Sequence, residues 1–390
     1  MSFKMINVRD LIRILLRFLW AALDGLVLLF TQQARQSRNQ VLIVRLDAIG
    51  DFVLWLDAAR QLINYYHDHG FSVVLLGNKA WSSWAKELNM ADDVWALDSH
   101  RFIYDLSYRW KWLRKIKKEA FSVAIQPTYS RTFLDGDALI RASSSSERIG
   151  SVGDLSFYSP CLKFYSDSLY TRLVPATQMP IMEIRRNAEF LRNFQKNDFK
   201  SKVPFIPPVV DLCPDALPNE PYAVLFPWAS GDVRAWPLDN FIDIGLRLLS
   251  RGFWVIITGG FSDQQKADPI VSALSKKVIN LVGKTSLGEF AEVLRKSSVL
   301  ISNETSAAHI GVAVGIPVVC IAGGGHYGRF VPYDVEQIND GQLLPIIISQ
   351  EMPCFGCNWN CNFPRKNGGP MKCIEDISVE RVWEAVEKRL

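Results

Sequence analysis

Short apolar runs alternate with amphipathic segments along most of this chain. From Gln40 the pattern predicts a strand at 41–44, a helix over 52–67, a strand at 71–76, a helix over 81–88 and a strand at 93–97, then a helix over 108–119, a strand at 121–125 and a helix over 183–194. Continuous apolar runs of this length, separated by helical periods, are parallel strands covered on both faces. Residues 142–147 read as a polar turn. Residues 195–221 hold Pro204, Pro207, Pro208, Pro214, Pro218 and Pro221 with no apolar period, which marks an interdomain linker placed at 201–221. The alternation then restarts, with strands at 222–226, 254–258, 299–301 and 317–322 and helices over 238–250, 263–274, 287–296 and 306–314. The expected fold is α/β, with one domain over 40–200, a second over 222–377 and a terminal helix over 378–390 capped by Ser378. Two such halves place a ligand cleft between the carboxyl ends of two sheets.

The first 39 residues form a segment of their own. Asp10 to Phe30 is almost wholly apolar, but Arg13, Arg17 and Asp24 leave no uncharged run of about 18 residues for a membrane span. At about 100° per residue Arg9, Asp10, Arg13, Arg17, Asp24 and Thr31 gather on one narrow face. Two readings stand. The helix lies in a bilayer interface, with Lys4, Arg35 and Arg38 toward anionic headgroups, or it docks on the protein's own surface or in an oligomer contact. The interrupting charges, and the lack of a small-x-small site before the polar 31–40 stretch, argue against a cleaved signal peptide.

A length of 390 residues suits two domains. With 44 Lys+Arg against 40 Asp+Glu, the formal charge of +4 lacks the basic excess of a nucleic-acid coat, so no nucleic-acid partner is expected. Cys161, Cys213 and Cys320 are scattered, and Cys320 falls in an apolar strand where a buried thiol is ordinary.

Three segments carry candidate chemistry. In Ser302-Asn303-Glu304-Thr305-Ser306-Ala307-Ala308-His309, a hydroxyl-rich turn opens a helix directly after a strand, where free backbone N–H groups meet an anionic ligand such as a phosphate. In the segment from Val41 through Arg45, Asp47 and Gly50-Asp51 to Leu54, the strand ends, Gly50 permits a tight turn and Asp51 opens the next helix at the cleft edge. A carboxylate there can take a proton from a hydroxyl, or merely favour the helix dipole. In Phe226-Pro227-Trp228-Ala229-Ser230-Gly231-Asp232-Val233-Arg234-Ala235-Trp236-Pro237, Ser230 can donate to a phosphate oxygen and Arg234 can neutralise a diphosphate, while Trp236 packs between layers.

Together, in this order, these segments resemble the motifs of glycosyltransferase family 9, the heptosyltransferases, from about Gln40 to the end of the chain. The resemblance implies a GT-B type fold of two Rossmann-like domains and an inverting, metal-independent glycosyl transfer. Asp51 matches the family's general base; Ser230, Arg234, Glu304, Thr305, Ser306 and His309 match its donor-binding positions. Two positions depart from the family: Glu304 stands for Asp and Ser306 for Gly, which bears on donor identity. Asp47 stands where the family often has Ser. The implied donor is ADP-heptose and the implied acceptor a lipopolysaccharide core, at the cytoplasmic face of a bacterial inner membrane reached through residues 1–34. The alternatives are another nucleotide sugar, a protein acceptor, or a non-catalytic sugar-nucleotide-binding scaffold subunit.

Cys354, Cys357, Cys361 and Cys373 form a late cluster with C-x2-C spacing, enough for a structural zinc or iron site, or else four reduced thiols or disulfides. Within the family, a subgroup acting on autotransporter proteins is associated with a four-Cys iron site. No cofactor is implied for catalysis itself. Gly323-Gly324-Gly325-His326-Tyr327-Gly328 satisfies G-x-G-x-x-G, but no amphipathic helix follows it, so a dinucleotide fingerprint fails. In the family a similar glycine-rich loop lines the donor cleft. Asp135-Gly136-Asp137 is a chance match to a metal-binding D-x-D.

Overall fold

The β-branched and leucine-rich runs fold as strands paired in parallel, and helices cover them. In the computed structural model, which describes residues 8–33, 38–209, 212, 217–274, 276–365 and 368–390, the chain forms two units. One comprises Met1–Ala48, Ala58–Met179 and Arg186–Phe199; the other comprises Ile49–Asp57, Pro180–Arg185 and Lys200–Leu390. The architecture is α/β of the GT-B type, two Rossmann-like parallel sheets with an added N-terminal helix.

The first sheet contains β1 (Arg38–Arg45), β2 (Ser72–Asn78), β3 (Asp93–Leu97), β4 (Phe121–Gln126), β5 (Glu147–Ser151) and β6 (Arg172–Val174), in the order β3-β2-β1-β4-β5-β6. The helices along this part of the chain are α1 (Val8–Leu29), α2 (Ile49–Asp68), α3 (Ser82–Glu87), α4 (Ser99–Tyr104), α5 (Leu106–Glu119), α6 (Ala138–Ser143), α7 (Pro160–Ser168) and α8 (Glu183–Gln195). Leu42, Val44, Val74, Leu76, Leu113 and Ile116 form the core of one face, and Leu28 of α1 joins it. The sequence pattern missed β5 and β6. Neither is a continuous apolar run, and β6 is a three-residue edge strand with only Val174 buried. The polar turn expected at 142–147 shrinks to 144–146, because α6 runs to Ser143 and β5 begins at Glu147.

The second sheet contains β7 (Tyr222–Phe226), β8 (Trp254–Ile257), β9 (Val278–Asn280), β10 (Val299–Asn303), β11 (Val318–Ile321) and β12 (Ile346–Ile348), in the order β12-β11-β10-β7-β8-β9. Numbered within each unit, both sheets have the order 3-2-1-4-5-6, which reverses direction between the first and fourth strands; ligands of such sheets sit at that reversal. The helices are α9 (Leu238–Ser250), α10 (Asp268–Leu274), α11 (Leu287–Arg295), α12 (Ser306–Ala313), α13 (Lys372–Glu375) and α14 (Val379–Glu387). Ser378 caps α14 as expected, accepting the Arg381 N–H at 3.4 Å.

Helix α1 docks by the side that carries Asp24, Ala21 and Leu28. Asp24 is buried and pairs with the equally buried Arg109, Nε donating to Oδ1 at 2.8 Å and Nη2 to Oδ2 at 2.5 Å. Arg141 and Lys117 cap the Ala21 and Leu28 carbonyls at 2.6 and 2.5 Å. Ala21, Ile14 and Phe18 pack with Phe133, Tyr158 and Leu162. Of the two readings of this helix, docking on the protein's own surface is therefore present. The apolar side is left outward: Leu15 is 59% exposed, Leu29 is 78% exposed, and Leu11, Ile12, Leu16, Leu19 and Leu26 are about half exposed. Lys4 and Arg35 lie outside the described residues, as do the side chains of Arg9, Asp10 and Arg38. Among the described residues no helix is long and apolar enough to cross a membrane.

Candidate functional site

At the strand reversal of the second sheet, β7 and β10 are neighbours, and the turns that leave their carboxyl ends carry Ser230 and Arg234, and Glu304 to Ser306. Asn303 ties the two turns together. Its buried amide donates to the Pro227 carbonyl at 2.7 Å and accepts the Trp236 N–H at 2.9 Å. Trp236 is buried, with its indole N–H on the Ile377 carbonyl at 2.8 Å, so it packs between layers as expected. Gly231, at φ +112°, lets the first turn reverse, and Arg234 Nη1 then donates to Ser230 Oγ at 3.2 Å.

Beside them, Ser302 Oγ, Glu304 Oε2 and Thr305 Oγ1 are buried without a hydrogen-bond partner among the described residues. Three unanswered polar atoms at the end of β10 and in the turn after it are costly unless a ligand satisfies them. Burial pushes the Glu304 carboxyl up to about 8, against the downward pull of Arg234. Thr305 is the N-cap of α12 but makes no side-chain cap, which leaves the first-turn N–H groups directed outward from the helix end. His309 is buried, its Nδ1 lies 2.9 Å from the Tyr333 hydroxyl, and burial lowers its pKa to about 4, so the ring is neutral.

Asp51 lies in the first turn of α2, whose N-cap is Ala48 without a side-chain cap. Residues Ile49–Asp57 group with the second unit, and the reason is visible at Gly50. A Cβ there would lie 3.2 Å from His309 Cδ2 and 3.7 Å from Ser306 Cα. Gly50 thus serves close approach: it sets the turn that bears Asp51 directly against the start of α12. Asp47 belongs to the first unit, where its carboxylate pairs with Arg45 Nε at 2.6 Å and accepts Thr128 Oγ1 at 3.1 Å.

The glycine-rich stretch 323–328 leads into turns rather than a helix. A Cβ at Gly324 would strike Phe355 at 2.2 Å, and one at Gly325 would strike Trp359 at 2.3 Å. These glycines make room for the Cys-rich segment, which is laced to them by Gly356 N to Gly324 O at 2.8 Å and Asn358 N to Gly325 O at 3.0 Å. Trp359, held at φ +63°, donates its indole N–H to His326 Nδ1 at 3.1 Å. Sequence reasoning missed the roles of Asn303 and Trp359; Trp359 meets Gly323 and Gly325 only through the fold. Cys373 is buried, and its thiol accepts the Gly324 N–H at 3.4 Å. Burial raises its pKa, and the Cys354, Cys361 and Cys357 thiols add to the rise, so the four sulfurs share one neighbourhood. Among the described residues no three His, Cys, Asp or Glu side chains are arranged around a common metal position. Asp135 and Asp137 are buried in the first unit; Asp137 accepts from Tyr158, Ser166, Tyr170 and Arg131, so the pair is not an open cation site.

Residues 176–356 match the model of glycosyltransferase family 9 (heptosyltransferase). This stretch is similar to that family. Lipooligosaccharide heptosyltransferase 2 of Haemophilus influenzae is 22% identical over 213 residues, which is 54% of this chain and 54% of that protein, so the match spans about half of the curated relative. A family 9 glycosyltransferase structure from Veillonella parvula shares the fold, with a TM-score of 0.66 at 16% identity over 91% of this chain and 98% of that one. The Escherichia coli heptosyltransferase WaaC, solved with ADP-2-deoxy-2-fluoro heptose, aligns with a TM-score of 0.60 at 17% identity over 90% of this chain and 100% of its own.

Proposed function

We propose that this chain is a family 9 enzyme, an inverting glycosyltransferase that moves heptose from ADP-heptose onto a lipopolysaccharide core or related glycan. The observation that carries the reading is the placement of the Asp51 turn, through Gly50, against the start of α12, beside the unsatisfied Ser302, Glu304 and Thr305 atoms. In this reading Asp51 accepts the proton of the acceptor hydroxyl, and that oxygen attacks the anomeric carbon from the face opposite the leaving group. The glycosidic C–O bond to the nucleoside diphosphate breaks as the new one forms. Arg234, Ser230 and the α12 N-terminus meet the charge on the departing diphosphate. Glu304, neutral at pH 7, offers one hydroxyl donor and one acceptor to a sugar ring, and the buried His309 positions the turn through Gly50. The chemistry assigned to these residues requires no metal in the transfer step. Two relatives support the sugar and the acceptor: one is a lipooligosaccharide heptosyltransferase and another was solved with an ADP-heptose analogue.

The decisive experiment incubates the protein with ADP-heptose and a truncated lipopolysaccharide core, then measures product mass and the anomeric configuration of the new linkage. Addition of one heptose with inversion supports the reading. Transfer from a different nucleotide sugar would trace to Glu304 and Ser306, which depart from the family pattern in the donor turn, and transfer onto protein would replace the glycan acceptor. Donor binding with no transfer to any acceptor would mark a scaffold subunit.

Two attachments complete the proposal. The outward apolar side of α1 rests on the cytoplasmic face of a bacterial inner membrane, supported by its exposed leucines. The thiols of Cys354, Cys357, Cys361 and Cys373 would hold a structural zinc or iron only after moving from the arrangement seen here, which surrounds no common metal position; their shared neighbourhood near Gly324 supports the reading.

A further inference from the structure

Where α1 meets the first sheet's covering helices there is an open pocket of about 600 Å³. One wall is apolar and belongs to α1, with Ala22, Gly25, Leu26 and Leu29. The opposite wall carries Lys117 from the last turn of α5, Arg141 from the last turn of α6, and Arg148 from β5. No carboxylate lines the pocket, and among the described residues none of these three cations pairs with one. Instead each donates to main-chain carbonyls: Lys117 to Leu28, Arg141 to Ala21, and Arg148 to Leu169 and Ser145 at 2.6 and 2.5 Å. Those bonds fix the cations in place without neutralising them. Gly25 matters here, because a Cβ at that position would lie 2.7 Å from Arg141 Nη2 and displace it.

We propose that this pocket binds the phosphate headgroup of an anionic membrane lipid. The occupant must be negatively charged to answer three fixed cations and amphipathic to match the apolar wall. Leu26 and Leu29 of that wall are 53% and 78% exposed and continue into Phe30, at 88%, and along the outward side of α1. A lipid seated here places its phosphate between Arg141, Arg148 and Lys117 and its chains along those leucines. A free phosphate uses only half of the surface. The inference rests on the membrane reading of α1 and adds to it a selectivity for anionic lipid.

The test is flotation of the full chain with phosphatidylcholine vesicles, with and without phosphatidylglycerol. Wild type should prefer the anionic vesicles, and Lys117→Gln/Arg148→Gln should lose about tenfold of that binding while keeping its binding to neutral vesicles. Lys111→Gln/Lys118→Gln removes the same charge from exposed positions of α5 and should change binding by less than about twofold. Arg148→Lys, which keeps the charge and disturbs the carbonyl caps, should retain anionic binding; this separates charge from misfolding. Equal losses in the two double variants would overturn the pocket in favour of diffuse surface charge. A thermal shift by inorganic phosphate, abolished in Lys117→Gln/Arg148→Gln while vesicle binding persists, would overturn the lipid assignment in favour of a soluble anion. A wild-type chain that ignores both vesicles would instead remove the membrane reading of α1 itself.

Discussion

The Arg234 guanidinium sits 4.5 Å from the centre of the Trp359 ring, so the cation of the proposed diphosphate site is held by a side chain from the Cys-rich segment. His326 accepts the indole N–H, and Gly325 provides the room. A cation over an aromatic face gains about 0.5–2 kcal/mol. Trp359→Ala should therefore weaken ADP binding by about tenfold in calorimetry, and Trp359→Phe should recover most of the loss. In the Arg234→Ala background, Trp359→Ala should add little. Additive effects would mean that Trp359 does not act through Arg234.

Asp51→Asn keeps the shape of the turn and removes the base. It should lower kcat by about 10² or more with the Kd for donor nearly unchanged. Loss of donor binding with turnover surviving at saturation would transfer the role elsewhere.

Glu304 gives a pH test with a definite sign. Its folded pKa of about 8 lies above the ordinary carboxylate value of 4.5, so the folded state holds the proton more tightly than the unfolded chain. Its contribution to stability is full below the unfolded value and is lost as pH rises through about 8. Glu304→Gln imitates the neutral form, so it should melt close to wild type at pH 5 and above wild type at pH 9. Coincident melting curves at both pH values would show that the carboxyl is not held neutral.

The four-thiol proposal is checked by elemental analysis of protein purified under reducing conditions without chelators. Near-stoichiometric zinc or iron is expected, and Cys357→Ser should lower both the metal content and the melting temperature. An absence of both metals would overturn the proposal and leave the segment held by its hydrogen bonds to Gly324, Gly325 and His326.

The fold was largely legible because its interior strands are uninterrupted apolar runs: 41–44 and 299–301 are buried on both faces and admit little else. The edge strands β6, β9 and β12 were not legible. Three residues, at most one of them buried, carry no period, and their pairing is imposed by neighbours. At the site, Ser230, Arg234 and Glu304 could be found because each follows a strand end in a recognisable motif. The neutrality of Glu304 and His309 could not, since it arises from burial by residues distant in sequence. The docking side of α1 was also hidden: helical periodicity finds a charged stripe but not that Asp24 has Arg109 as its counter-ion.

That ion pair also orders events in time. Asp24 waits for Arg109, 85 residues later, and the Ala21 carbonyl waits for Arg141, 120 residues later. At ribosomal speeds of about 5–20 residues per second, the gap is on the order of ten seconds. Throughout it the leucine side of α1 is already made, while the surface that will hold its other side does not yet exist. The helix is synthesised before the surface it docks on, so a nascent chain would be able to reach a bilayer before its first domain has closed.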